Sequence, residues 1–311
     1  MASGNIELHQ LRCFVAVAKE LNFRKAAVRL NMTQPPLSRQ VQLLEHAVGC
    51  RLFERTNRNV TLTPAGESLY KSATEILLST EHSVLKARQA ERGELGEVHV
   101  GAVPSSAIDV MPKVVSELNK SLPTISIRSV EMMSYEIIEG LRRGEIDFGL
   151  TRSHESGKDI ESVRVLTEDL ILVVHKDHPL AVQPKVTMQD LDGQPFVGYS
   201  WYRGGVLHKV HQALFALTHS QPTIVQEVSQ TQTMLAMVNQ GLGLALVPMS
   251  ACAQRMENLC FRAIDLPPGI TSDLYLCQAI GRESPLLNNV KVEMKRVIGE
   301  FQEYLGSLEF P

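Results

Sequence analysis

The sequence predicts an all-α winged helix-turn-helix head, a long linker helix and a body of two half-size α/β units. Three observations predict it. The first 62 residues hold three segments of helical apolar spacing and then two short β-prone runs about a polar tip. Residues 64–89 read as one helical stretch, and beyond Gly96 strand-like runs alternate with helix-like ones. The chain has 311 residues, room for two or three domains at about 150 residues each. With 44% hydrophobic and 21% charged residues it has ordinary globular composition, which excludes disorder or a coiled-coil rod as a description of the whole chain. No apolar run approaches the roughly 20 residues that cross a bilayer, so no membrane partner is expected. The opening MASGNIELHQ lacks the basic and apolar regions of a secretory signal. Cys13, Cys50, Cys252, Cys260 and Cys277 are odd in number, scattered and without a CxxC pair. Neither a disulfide framework nor a zinc knuckle is expected, and a reducing cytoplasm fits.

In residues 6–19, Leu8, Leu11, Phe14, Val15 and Ala18 recur at helical spacing. Asn22 is placed to cap a second helix over 23–30, with Phe23, Ala26, Ala27 and Leu30 on one face. Asn31-Met32 makes the turn, and Thr33 is placed to cap a third helix over 34–48 with Pro35 and Pro36 in its first turn. Leu37, Val41 and Leu44 face inward there, and Gly49 stops the helix. Leu52-Phe53 and Val60-Thr61-Leu62 flank a polar tip and predict a hairpin, or wing. Ala26 and Ala27 allow the second and third helices to cross closely. The outer face of the third helix carries Gln34, Ser38, Arg39 and Gln42, side-chain types that read base edges; a merely solvated face is the competing reading. Pro64 starts the linker helix, in which Leu69, Ala73, Ile76, Thr80, Ser83 and Ala87 step by four and three to form a heptad-like seam. In the body, strands are expected at 97–103, 125–131, 146–150, 170–175, 196–198, 223–228 and 242–247, and helices at 105–120, 134–143, 206–216 and 231–239. That alternation predicts parallel sheets, with ligand crevices at the carboxyl ends of the strands.

Residues 1–66 carry nine Lys and Arg against four Glu, a net +5, which leaves −8 on the rest of a chain whose total is −3. A basic head on an acidic body points to a polyanion partner for the head; chance clustering stays open on charge alone. Catalytic motifs are missing: there is no GxSxG, HExxH, P-loop or GxGxxG after a strand. Gly241-Leu242-Gly243 reads as a tight turn, His208 and His211 as an exposed helix surface, His175 and His178 as strand-end residues, and Asp147 as a turn or sheet-end residue. No catalytic residue, cofactor or metal site is expected. A small-molecule-binding or catalytic α/β protein with a basic accessory domain stays open as one reading.

Phe14, Val17, Phe23, Ala26-Ala27, Leu30, Thr33-Gln34-Pro35-Pro36-Leu37-Ser38, Leu44-Glu45, Gly49, Leu52-Phe53, Arg55, Arg58, Leu62-Thr63 and Ala65-Gly66 resemble the DNA-binding signature of LysR-type transcriptional regulators. Residues 140–150, His178-Pro179-Leu180 and residues 241–248 resemble passages of that family's effector domain, and TQPPLSRQ at 33–40 resembles the form seen in regulators of aromatic-compound breakdown. The resemblance implies a winged helix-turn-helix domain over 1–63, a dimerisation helix over 64–91 and a two-lobed, periplasmic-binding-protein-like effector domain over 92–311. Lobe I would take about 97–167 and 273–311, lobe II about 168–272, with a carboxyl-terminal helix over about 285–305 packed on lobe I. It further implies a dimer of dimers acting on double-stranded promoter DNA, with RNA polymerase a further partner. Gln34, Ser38 and Arg39 would face the major groove, Thr33, Pro35 and Gln42 would belong to the same DNA-binding set, and Arg55 and Arg58 on the wing would reach phosphates or the adjacent minor groove.

For the effector, Ser105 and Ser106 open a helix after a strand, Ser134 opens another, and Arg152 follows a third strand with a charge for a carboxylate. Tyr199-Ser200-Trp201 and Gln230-Thr231 hold matching places in the second unit. By resemblance, Ser105, Ser134 and Arg152 line the pocket between the lobes, so a small organic acid is the expected ligand. Each Ser or Thr could instead be a simple N-cap, and Arg152 a surface ion pair. Met133 and Tyr135 flank Ser134 with bulk that would narrow the pocket.

Overall fold

A computed structural model describes residues 6–55, 60–155 and 157–310, and the chain divides into two compact units, Met1–Gln89 and Ala90–Pro311. In the first, α1 (Leu8–Glu20), α2 (Phe23–Arg29) and α3 (Gln34–Val48) precede a hairpin of β1 (Phe53–Arg55) and β2 (Val60–Leu62), and α4 (Pro64–Glu91) follows. The hairpin pairs Phe53 with Leu62 and Arg55 with Val60. Asn22 caps α2 by accepting from the backbone N–H groups of Arg24 and Lys25 at 2.9 and 3.0 Å. Gly49 closes α3 in the left-handed conformation, φ 80°. Thr33 holds the N-cap position of α3, yet its hydroxyl makes no capping bond. An N-cap side chain accepts from the second or third helical N–H, and those positions are Pro35 and Pro36, which have none. The Thr33 hydroxyl therefore stays on the exposed surface.

Phe14, Val17, Ala26, Leu37, Val41 and Leu44 are wholly buried in this unit's core, where Phe53 meets Phe14 at 5.4 Å and Phe23 at 5.7 Å between ring centroids. Glu45 accepts from the N–H groups of Leu52 and Phe53 and so ties the wing to α3. Gly66 is required, because a Cβ there would run into the carbonyl oxygen of Leu52. The α4 seam is partly spent inside this unit. Ala73 is buried, and Leu69 and Leu77 pack on the same core; Ile76, Leu78, Val84 and Leu85 stay exposed.

The second unit holds β3 (Gly96–Ala102), α5 (Pro104–Ile108), α6 (Val110–Ser121), β4 (Ile125–Glu131), α7 (Ser134–Arg143), β5 (Phe148–Thr151) and β6 (Ile160–Glu168). There follow β7 (Leu170–His175), β8 (Pro195–Tyr199), α8 (Gly205–Thr218), β9 (Thr223–Val228), α9 (Thr231–Asn239), β10 (Ala245–Pro248), β11 (Leu259–Arg262), β12 (Ser272–Ala279) and α10 (Pro285–Gly306). A five-stranded sheet runs β4-β3-β5-β12-β6; β10-β7-β11 form a second sheet, and β8-β9 a pair bridged to its neighbour at Phe196 and Leu244. The expectation of parallel sheets holds for β3 with β4 and β5 and for β8 with β9. It fails for β12, antiparallel to β5 and β6, and for β7, antiparallel to β10 and β11. The chain reaches β12 from the second half of the unit rather than through a crossover helix on the first sheet, so the strand enters from the opposite end.

Only Asp169 separates β6 from β7, which lie in different sheets, and Ser272 at the start of β12 pairs with Glu168 at the end of β6. The two chain crossings between the lobes thus lie side by side. One core gathers the five-stranded sheet with α6, α7 and α10 (Val100, Leu118, Ile137, Leu150, Leu276, Ile298). In the other half β7 feeds two cores, Leu170, Leu172 and Val174 on one face and Ile171 and Val173 on the other. A strand buried on both faces reads as an unbroken apolar run, as LILVV does. The helix expected over 105–120 breaks at Asp109, because Pro112 cannot donate to Ile108 and its ring crowds that carbonyl. Among the described residues no helix is long and apolar enough to cross a membrane, and no group of three or more His, Cys, Asp or Glu is placed to hold a metal ion.

Candidate functional site

Each unit presents one surface that its core does not explain. On the first, Leu37, Val41 and Leu44 turn one face of α3 inward, which leaves Thr33, Gln34, Pro35, Arg39 and Gln42 exposed and Ser38 half-buried. Among the described residues no carboxylate pairs with Arg39. Arg55 ends β1, which continues the same unit as the wing, and Arg58 lies outside the described residues. The face offers hydroxyls, amides and a guanidinium, the donor and acceptor types that engage phosphates and base edges.

In the second unit a small cavity of about 60 Å³ lies between the lobes, bounded by Ser105, Ser134 and Arg152 from one and Tyr199, Gln230 and Thr231 from the other. It adjoins an outer cleft of about 960 Å³, in whose wall Ser134 and Gln230 recur with Tyr135, Tyr202, Arg203 and Lys209. Arg152 is buried, and its surroundings are not those of a surface ion pair. Nη1 donates to Glu168 Oε1 at 2.7 Å and to the carbonyl and hydroxyl of Ser272 at 3.0 and 2.8 Å, while Nε donates to Ser105 Oγ at 3.2 Å. Its Nη2 is buried with no partner. Arg152 is one of the residues that line the cavity, and an orphaned guanidinium nitrogen is a costly arrangement in a folded chain, so an acceptor that reached it would relieve that cost. The Tyr199 hydroxyl lies 2.6 Å from Thr231 Oγ1, and burial raises its pKa. Glu168 also accepts, through Oε2, from the Ser250 N–H at 2.7 Å.

Three of the expected pocket residues do not line the cavity. Ser106 is buried, its hydroxyl donating to Val103 O at 3.0 Å as a local cap. Ser200 accepts from the N–H of Tyr202, and Trp201 is 73% exposed with its ring against Tyr202. Met133 does line the cavity, whereas Tyr135 stands 69% exposed at the outer cleft and narrows only the entrance. His211 is not on an exposed helix surface: it is buried, its Nε2 on the Leu246 carbonyl at 2.9 Å, and burial lowers its pKa to about 4. His208 Nδ1 meets the Tyr199 carbonyl at 2.7 Å. Asp147 accepts from the His99 N–H in the sheet, and His178 Nδ1 accepts from the Leu180 N–H.

Residues 8–67 match the family model of the bacterial regulatory helix-turn-helix protein, lysR family, and residues 91–295 match the LysR substrate binding domain. The chain belongs to the LysR family. It is therefore a DNA-binding transcriptional regulator with a substrate-binding domain, and not an enzyme. The uncharacterized HTH-type transcriptional regulator YnfL of Escherichia coli (strain K12) is 33% identical over 93% of this chain and 98% of its own. The Hca operon transcriptional activator HcaR of the same strain is 38% identical over 78% of this chain and 82% of its own. Among solved structures, the LysR family regulator CbnR superposes with a TM-score of 0.82 at 29% identity, over 93% of this chain and 99% of that one; CbnR complexed with its target DNA gives 0.78.

Sequence reading of this LysR-type regulator missed Asp109, Glu168, Ser272 and Arg203. Glu168 and Ser272 become neighbours only through the pairing of β6 with β12, strands more than 100 residues apart that were not recognised. Asp109 was read as an interior helical position. It sits at the break between α5 and α6, where burial pushes its carboxyl up to about 6; the Ser250 side chain offsets part of this, Glu168 adds repulsion, and Arg152 and Gln254 pull it down. Pro112 was the available signal for that break.

Proposed function

We propose that this regulator binds a small organic acid, aromatic acids included, in the cavity between its effector lobes, and that occupancy of the cavity changes how it engages promoter DNA. The observation that carries the reading is the buried, unpartnered Nη2 of Arg152 in a wall that also offers the hydroxyls of Ser105 and Ser134. A carboxylate takes a charge-assisted hydrogen bond from such a group, and the hydroxyls orient it. The 60 Å³ of the inner cavity suits the carboxylate head alone, and the outer cleft of about 960 Å³ takes the rest of the acid. On the head, Gln34, Ser38 and Arg39 would meet the major groove beside Thr33, Pro35 and Gln42 of the same DNA-binding set, with Arg55 and Arg58 of the wing on the backbone or minor groove. The exposed Ile76, Leu78, Val84 and Leu85 of α4 support pairing with a second copy, and a dimer of dimers in the cytoplasm is the assembly proposed.

The test is calorimetry on the full chain with an acid found in a thermal-shift screen of organic acids. Ser105→Ala and Ser134→Ala should each weaken binding several-fold. Unchanged affinity in both variants means the acid binds elsewhere.

A further inference from the structure

The junction of the two lobes buries more negative than positive charge. Asp109 at the α5–α6 break, Glu168 at the end of β6 and Arg152 after β5 are 8%, 3% and 6% exposed, two carboxylates for one guanidinium. Glu168 is satisfied, holding Arg152 through one oxygen and the Ser250 N–H through the other. Asp109 is not: its Oδ1 is buried with no partner, as is Arg152 Nη2. The other charged and titratable groups within electrostatic reach do not restore the balance. Tyr199 and Cys252 are both neutral and held so by burial, and Lys113 on α6, which bears on Cys252, holds its ammonium over the rings of Phe301 and Tyr304. Ser250 and Gln254 face Asp109 with neutral polar side chains. An acid whose carboxylate takes Arg152 Nη2 would bring a third negative charge to the same guanidinium.

Resting on the reading of this cavity as an anion site, we propose that the acid binds together with a proton, and that the proton goes to Asp109. Of the carboxylates around Arg152, Asp109 is the one with a buried oxygen that no donor satisfies, so it gains most from becoming a neutral O–H. The balance is simple: the acid enters as an anion, one proton is taken from solvent onto Asp109 Oδ1, and the junction keeps its net charge. Asp109 is not among the residues that line the cavity. It acts through Arg152, as a residue that sets the charge the site accepts. Its raised pKa, about 6, places the exchange where cytoplasmic pH can act on it. The site would then favour singly charged acids, and hold them less well as the medium becomes more alkaline.

The experiment uses the full chain with benzoate as an aromatic probe and formate as the bare head. Calorimetry at about pH 7 in two buffers of different ionisation enthalpy reads the protons taken up, on wild type alone and without need of a variant. Uptake approaching about one proton per site is expected, with benzoate affinity falling roughly fivefold to tenfold between about pH 7 and pH 8. Asp109→Asn, permanently neutral, should abolish both the uptake and the pH dependence and bind more tightly than wild type at the alkaline end. Binding by wild type with no proton uptake and pH-independent affinity overturns this inference and leaves the anion site standing. Equal uptake in Asp109→Asn overturns the assignment to Asp109. Failure of both benzoate and formate to bind overturns the reading of the cavity itself, and the inference with it.

Discussion

Replacing Asp109 by Asn should stabilise the effector domain, and the size of the gain follows from the structure. The native carboxyl titrates near 6 where an ordinary aspartate titrates at 3.8, so folding must overcome a penalty for the ionised form of about 2 pKa units, or about 3 kcal/mol at 1.36 kcal/mol per unit. The direction is fixed by linkage. Because the native pKa is the higher one, the folded state holds its proton longer than the unfolded chain; the associated stability is intact below about 4, is lost as pH rises through 4 to 6, and stays lost above. Asn is neutral throughout. The variant should therefore exceed wild type by up to about 3 kcal/mol above pH 6, and the gap should close towards about pH 4. Urea denaturation followed by tryptophan fluorescence is the assay. The chain has one tryptophan, Trp201, which lies in the second unit, so the signal reports the effector domain alone. A variant less stable than wild type at pH 7.5, or a difference that does not change with pH, refutes the reasoning.

Other expectations can be checked alongside. Arg39→Ala should cost on the order of 1–3 kcal/mol of discrimination between operator and non-specific DNA, measured by competition band shifts. Gly66→Ala, whose new methyl meets the Leu52 carbonyl, should destabilise the first unit by about 1–3 kcal/mol and weaken DNA binding with it. Leu85→Glu, on the exposed row of α4, should weaken self-association; light scattering at micromolar concentration should then shift toward the 34.5 kDa of one chain, and an unchanged mass would remove that row from the interface. Arg152→Gln should destabilise the effector domain by about 3–5 kcal/mol, because Glu168 is left buried without its cation, as thermal denaturation will read.

The head was legible because its signals are local. Asn22, the Pro35-Pro36 pair, Gly49 and Gly66 act on backbone within a few residues, and Leu37, Val41 and Leu44 repeat at helical spacing. The same locality misled at Thr33, where the cap residue was visible but its missing N–H partners had to be counted. In the body, apolar runs such as LILVV announced β7, while β6, with the polar and charged IESVRVLTE, and the edge strand β11 gave no such run. Both β6 and β12 gain their place from pairing with each other across the whole second lobe, which no window of sequence contains. The site divides in the same way. Ser105, Ser134, Arg152, Gln230 and Thr231 sit at ends of strands or starts of helices and were readable. The groups packed about Arg152, namely Glu168, Ser272 and Asp109, depend on tertiary pairing and on a proline-induced break, and were not.

The central claim is that an acid in the interlobe cavity alters promoter binding. Footprinting of the full chain on its own promoter, with and without a saturating organic acid, tests it most directly when wild type is set beside the Ser105→Ala/Ser134→Ala double variant. The account predicts a protected site for both proteins, with protection that changes on adding acid for wild type and stays fixed for the variant. Acid-dependent changes of equal size in the two proteins would contradict it.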